Sequence, residues 1–164
     1  MLRAIKIRLY PNKEQATMFN KLLGCYRVVY NQCLSRKIES YKNDGKSENL
    51  STLGHFVHHE LLKDDNFIWL REQNTKVLKQ AVKDMLSAYK NFFERHTGYP
   101  KFKSKHDNKQ SCRFELGAIS KRNDYTNYKI SLANIRNIKF RCNKKYAKYL
   151  QKHHDNIRQA TLTR

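Results

Sequence analysis

Acidic side chains are scarce in this chain. Its 164 residues hold 14 Asp and Glu against 34 Lys and Arg, a formal net charge of +20. A field of that size repels itself in a compact fold and is tolerated where a polyanion neutralises it. Nucleic acid is the common polyanion, because each phosphate that a cation neutralises releases a counterion. A surface that merely keeps the protein soluble is the competing reading. The acids thin out further along the chain. After residue 96 only Asp107, Glu115, Asp124 and Asp155 occur, in a stretch that carries half of all the Lys and Arg. Residues 97–164 are therefore the expected phosphate surface.

Other absences exclude whole classes of function. No apolar run reaches the roughly 18 residues of a membrane span, and the start MLRAIKIRLYP has no signal-peptide apolar region. These features predict a cytoplasmic, nucleoid-associated protein with no membrane partner. The four cysteines, Cys25, Cys33, Cys112 and Cys142, form no C-x-x-C pair, so reduced buried thiols are expected rather than a zinc site. His55 and His59 stand at i and i+4, a spacing that suits a metal as well as a solvated helix face. Phe56 and Val57 follow His55, so the zinc-protease pattern H-E-x-x-H is missing. There is no Gly-rich phosphate loop and no G-x-S-x-G elbow. Two-metal cleavage of nucleic acid needs converging carboxylates, and the few acids have no evident partners. The expectation is no catalytic residue, no metal site and no cofactor.

What is present suffices for a core, with 39% hydrophobic and 12% aromatic residues. Ile5 to Tyr10 alternate apolar and polar, the period of a half-buried strand, and Pro11 ends it. Asn12 followed by Gln15 reads as a capping box. The spacing then predicts a helix to about residue 41, a turn at 43–46, a shorter helix from Ser51 or Thr52 to about 63, and a third helix over 74–96. Gly98 and Pro100 break the pattern. Short strands are predicted at 111–116, 128–132, 137–141 and 159–163, while 143–156 shows no decisive period. The fold class is α+β: a bundle of about three helices inserted after the first strand of a small antiparallel β-barrel. The expected domains are 1–11 for the first strand, 12–97 for the helical lobe and 98–164 for the rest of the basic barrel.

Two short motifs suit nucleic acid. In the extended segment 99–105, Lys101, Lys103 and Lys105 share one face and could line a phosphate groove, with Tyr99 stacking on a base or packing beneath it. An edge strand kept soluble by lysines would look the same. Next to it, Gln110 and Arg113 offer amide and guanidinium donors for phosphates or base edges.

The motifs, in their order and spacing, resemble the TnpB family, the RNA-guided nucleases of insertion sequences also labelled OrfB accessory transposases. The resemblance rests on KIRLYPNKEQ at 6–15, GCYRVVYN at 24–31, Trp69-Leu70 with Val77-Leu78, AYKNFF at 88–93, the segments 99–105 and 110–114, and QATLTR at 159–164. It implies a wedge-type barrel and a recognition lobe that hold a guide RNA from the transposon end and a double-stranded DNA target with a short flanking motif. It implies that Thr75, Lys76 and Lys79, joined by Thr52 and Phe56, face the flanking DNA. It adds Lys6, Arg8, Arg27 and Asn31 as nucleic-acid contacts, with bundle packing the alternative for the first-helix signature. The family's RuvC-like nuclease domain, with its divalent metal and zinc ligands, finds no counterpart in these residues. The expectation is a nucleic-acid-binding portion that is not an enzyme by itself. Half of a split endonuclease, completed by a separate RuvC polypeptide, and a helix-turn-helix-like DNA-binding regulator are the alternatives.

Overall fold

Asn12 both stops the first strand and starts the first helix. In the computed structural model, which describes residues 3–164, strand β1 is Arg8–Tyr10 and helix α1 is Lys13–Asp44. The Asn12 side chain accepts from the Gln15 amide at 2.8 Å, and the Gln15 side chain accepts from the Asn12 amide at 3.0 Å. Gly45, at φ 65°, closes the helix in the left-handed conformation that glycine adopts at least cost. Gln15 also donates to the Arg136 carbonyl at 2.8 Å, tying the helix start to a distant strand.

The predicted second helix is only partly regular. Helix α2 covers Leu50–His55, capped by Asn49, and is followed by a wide π-helical turn at Phe56–Glu60 and 3-10 turns at Leu61–Lys63 and Asp65–Glu72. Val57, Leu61, Leu62 and Leu70 are all buried along this stretch. The changes of helical pitch let them all reach the core, which one regular helix does not allow. Helix α3, Thr75–Arg95, has the strong apolar stripe that its sequence shows, and packs along α1 through Val77, Leu78, Ala81 and Met85.

The basic half supplies β2 (Ser111–Glu115), β3 (Lys129–Leu132), β4 (Ile135–Arg141), helix α4 (Lys144–Lys152) and β5 (Gln159–Thr163). The predicted α+β class is present, and β1 does pair with a later strand. The predicted closed barrel is not formed among the described residues. The strands make a three-stranded sheet of order β1-β4-β3 and a separate pair β2-β5, all antiparallel. Closure requires hydrogen-bonded neighbours all the way round. Here neither β2 nor β5 is paired with β1, β3 or β4 among the described residues, and the segment that follows β2 reaches β3 through an isolated bridge between Ile119 and Leu132. Phe114, Ile138 and Phe140 are fully buried and join the helical core in one cluster.

Candidate nucleic-acid interface

Segment 99–105 is anchored against the helices before any ligand is considered. Asn31, on α1, donates from Nδ2 to the Lys103 carbonyl at 3.0 Å and accepts the Lys103 amide on Oδ1 at 2.8 Å. The Lys103 ammonium sits 4.7 Å from the centre of the Tyr30 ring. The Tyr99 hydroxyl meets that of Tyr89 at 2.7 Å, and its ring packs edge-on against Tyr89 and Phe92. Burial, then the Tyr99 hydroxyl, pushes the Tyr89 phenol above its ordinary range. Lys101 and Lys105 stay exposed on this pinned segment. Lys37 faces inward instead, donating to Ser47 Oγ at 2.9 Å and to the Glu48 carbonyl at 2.5 Å. Burial pushes its ammonium down, against the pull of Glu48.

Asn31→Ala is expected to cost about 1–2 kcal/mol, because it removes a pair of part-buried hydrogen bonds. It should speed exchange of the Lys103 amide by about tenfold, the equivalent of about 1.4 kcal/mol. Hydrogen exchange read at that amide checks this. Unchanged protection would mean that the tyrosines alone hold the segment.

A second polar junction joins α1, α3 and β2. Asp84 accepts from the Tyr26 hydroxyl and from Gln80 Nε2 at 2.9 Å, and lies 3.6 Å from Arg113 Nε. Lys83 pairs with Glu115 at 2.6 Å. The Lys76 side chain lies over Gly117, in the space that a side chain at 117 would fill. The start of α3 is thus laid against the end of β2. Thr75 and Lys79 are exposed there, and the Lys76 amide donates to the Asn74 cap at 2.9 Å.

The remaining candidates scatter. Lys6 and Arg8 are exposed at β1. Arg27 is half-buried on α1, beside Gly24. Gln110 donates to the Lys105 carbonyl at 2.6 Å, holding the far end of the pinned segment. Thr52 closes the α2 capping box, accepting the Asn49 amide at 2.9 Å. Phe56 lies under the Arg36 guanidinium at 4.6 Å, and Arg36 is itself paired with Glu60 at 2.8 Å. Asn31, Lys103, Gln110 and Arg113 therefore make their first contacts inside the protein. Lys6, Arg8, Lys79, Lys101 and Lys105 make no ion pair among the described residues.

No group of three or more His, Cys, Asp or Glu is gathered to hold a metal among the described residues. His55 and His59 stack with ring centres 4.4 Å apart. No described helix is long and apolar enough to cross a membrane.

Residues 1–46 match a family model described as a helix-turn-helix domain, of the OrfB type of IS605 elements. Across the described part of that match the chain forms β1 and the unbroken α1. The chain is 30% identical over 121 residues to a Streptomyces pristinaespiralis protein named as an RNA-guided DNA endonuclease, covering 74% of this chain and 30% of that one. It is 29% identical over 107 residues to InsQ of Escherichia coli (strain K12), which carries the same description, covering 65% and 26%. It is also 33% identical over 116 residues to virulence protein VsdF of Salmonella dublin, covering 65% of this chain and 96% of that relative. The chain belongs to the TnpB-like family. It spans under a third of the length of the two nuclease relatives.

Proposed function

We propose that this chain is the nucleic-acid-binding portion of a TnpB-like RNA-guided transposon nuclease, holding guide RNA and target DNA, while cleavage belongs to a RuvC-type domain. Residues 12–97 act as the recognition lobe, and 1–11 with 98–164 as the wedge. The observation that carries this reading is the set of exposed lysines and arginines without carboxylate partners, Lys6, Arg8, Lys79, Lys101 and Lys105 among them. Cations left unpaired in a protein of net charge +20 are suited to phosphate. Thr75, Lys76 and Lys79, joined by Thr52 and Phe56, address the duplex beside the target. Segment 99–105 addresses the sugar–phosphate backbone.

Fluorescence titration of the chain with transposon-end RNA, between about 50 and 200 mM salt, tests this. Five or six phosphate contacts predict a log–log slope of about −4 to −5. Lys76→Ala with Lys79→Ala should flatten the slope for duplex DNA by about 1.8, at 0.9 per lost contact. Equal affinity for transposon-end RNA, random RNA and polyglutamate would sink the proposal.

A further inference from the structure

Residues 64–72, DDNFIWLRE, carry three acids against Arg71 alone, on a chain of net charge +20. Asp65–Glu72 is a 3-10 helix of eight residues, long for that geometry. With three residues per turn, side chains at i and i+3 stack in columns. One column, Phe67 and Leu70, is turned toward the core, with Leu70 fully buried. The other two face solvent: Asp65, Ile68 and Arg71 in one, Asn66, Trp69 and Glu72 in the other. Ile68 is 47% exposed and Trp69 41%. Two large apolar side chains thus occupy neighbouring exposed columns, with Asp64 and Asp65 at one end and Glu72 at the other.

These acids have no cationic partner. Asp64, Asp65 and Glu72 make no ion pair among the described residues, although Lys21 lines the same cleft as Glu72. Asp64 caps the helix, accepting from the Asn66 amide at 2.9 Å. Arg71 is engaged elsewhere, its Nε donating to the Leu62 carbonyl at 2.5 Å. The Trp69 indole donates to the Asn66 carbonyl at 2.9 Å, which fixes the ring in one orientation without covering it. A single exposed apolar side chain is ordinary. Here two adjoin, and one is a held tryptophan, among the residue types that most often anchor a protein interface. Exposed aromatics elsewhere stand beside cations: Phe102 lies between Lys101 and Lys103, and Tyr149 follows Lys148.

We propose that the exposed face of the 65–72 helix docks a basic, amphipathic segment of a partner protein, with Trp69 and Ile68 as apolar anchors and Asp64, Asp65 and Glu72 as an ionic rim. Charge selects the occupant. Unpaired carboxylates repel phosphate, so this is the part of the helical lobe that nucleic acid avoids. An acidic partner is drawn instead to the lysines and arginines that the rest of the chain carries in excess. A second copy brings its own +20 with it, and repulsion over both surfaces opposes a contact that this patch alone favours. A short cationic segment avoids that cost, because screening over about 8 Å leaves it in the field of the nearby carboxylates rather than of distant cations. An apolar anchor inside a charged rim is the usual anatomy of a protein interface. The proposal goes beyond nucleic-acid binding and does not depend on it.

Trp69 is the chain's one tryptophan, so its emission reports directly on the patch. The probe is a short, tryptophan-free amphipathic peptide of leucine and lysine, titrated into the full chain. The same peptide with glutamate for lysine, and oligouridine, are the comparisons. The leucine–lysine peptide should shift Trp69 emission to the blue as the ring leaves water, and the other two should not. Ile68→Ser should weaken the peptide by about tenfold, the loss of one anchor. Asp65→Asn with Glu72→Gln should weaken it by about fivefold at about 50 mM salt, and by less than about twofold at about 0.5 M, where exposed ion pairs are screened. Both variants alter exposed side chains, so Tm should stay within about 2 °C. No emission shift, or losses below about twofold in both variants at low salt with Tm unchanged, would overturn the proposal. So would an equal shift with the leucine–glutamate peptide or with oligouridine, or a blue shift that grows with the chain's own concentration and makes a second copy the occupant. If the peptide binds as expected but transposon-end RNA does not bind at all, the proposed function falls and the docking surface stands.

Discussion

Asp84→Ala is expected to remove about 2–4 kcal/mol from the unfolding free energy, the range for breaking a largely buried network with a charged acceptor. The carboxylate is the shared acceptor of Tyr26 on α1 and Gln80 on α3, and the ionic partner of Arg113 on β2. Tyr26 is 1% exposed and Gln80 3%. Without Asp84 the tyrosine hydroxyl loses its acceptor where water does not reach. Gln80, whose Oε1 already has no partner, loses its other bond. Asp84→Asn keeps the shape and one acceptor, so it should cost roughly half as much. Urea unfolding at pH 7, followed by circular dichroism, distinguishes these values. A loss below about 0.5 kcal/mol for the alanine variant, the size of an ordinary surface substitution, would show that the junction is not a structural one. The change also reaches the proposed interface. Arg113 is drawn toward Asp84, and its release adds a free cation, so the alanine variant should bind duplex DNA with a salt slope steeper by up to about 0.9.

The parts of the fold legible in the sequence are those fixed by neighbours along the chain. Asn12 and Gln15 meet three residues apart, and α3 repeats its apolar positions over 21 residues. Strands β2 and β5 lie within a residue of the bounds their pattern predicts, because their alternation is short-range. Helix α4 was illegible because it buries only Ala147, too thin a stripe for a periodic reading. Strand β4 begins two residues earlier than its pattern suggested, because Ile135 follows directly on the tight Ala133 turn, at φ 51°. Barrel closure is illegible for a different reason. Strand count and alternation do not say whether the last pair of edges meets.

The site was less legible than the fold, because its geometry is long-range. Asn31 looks like a ligand-facing amide until the backbone of Lys103 arrives to fill it. Arg113 looks free until α3 brings Asp84. Conversely, Tyr10, Lys129, Lys139 and Arg141 carried no local motif. Arg141 faces Arg8, and Lys139 faces Tyr10 and Lys129, only once β1 and β3 have paired on either side of β4. Their one signal in the sequence is compositional: strands rich in cations with no acid beside them.

Raising the pH from 7 to 10 should destabilise the fold by about 4 kcal/mol, a large share of the 5–15 kcal/mol of an ordinary domain. Three thiols are responsible. Cys25, Cys33 and Cys112 are 2%, 0% and 1% exposed. Burial raises Cys25 from an ordinary 9.0 to about 11, and Cys33 and Cys112 to about 12. An acid whose folded pKa is raised stays neutral in the fold while the unfolded chain ionises. Its contribution is therefore intact below pH 9 and is lost progressively from there up to the folded value. At pH 10 each thiol withdraws a little over roughly 1 kcal/mol. Tyr26, raised by burial and then by Asp84, acts in the same direction above its own ordinary value of 10.0. The net charge of +20 opposes the trend, because deprotonating lysines relieves repulsion. That relief is centred near pH 10.4, at the upper edge of this window, and at about 0.5 M salt the repulsion is largely screened. Urea midpoints at 0.5 M salt with reductant present should therefore fall steadily from pH 9. Cys33→Ala, compared with its own value at pH 7, should lose about a third of that fall. A midpoint that stays level or rises between pH 9 and 10 would mean that the thiols ionise in the folded chain, and that the core around α1 and β2 admits water.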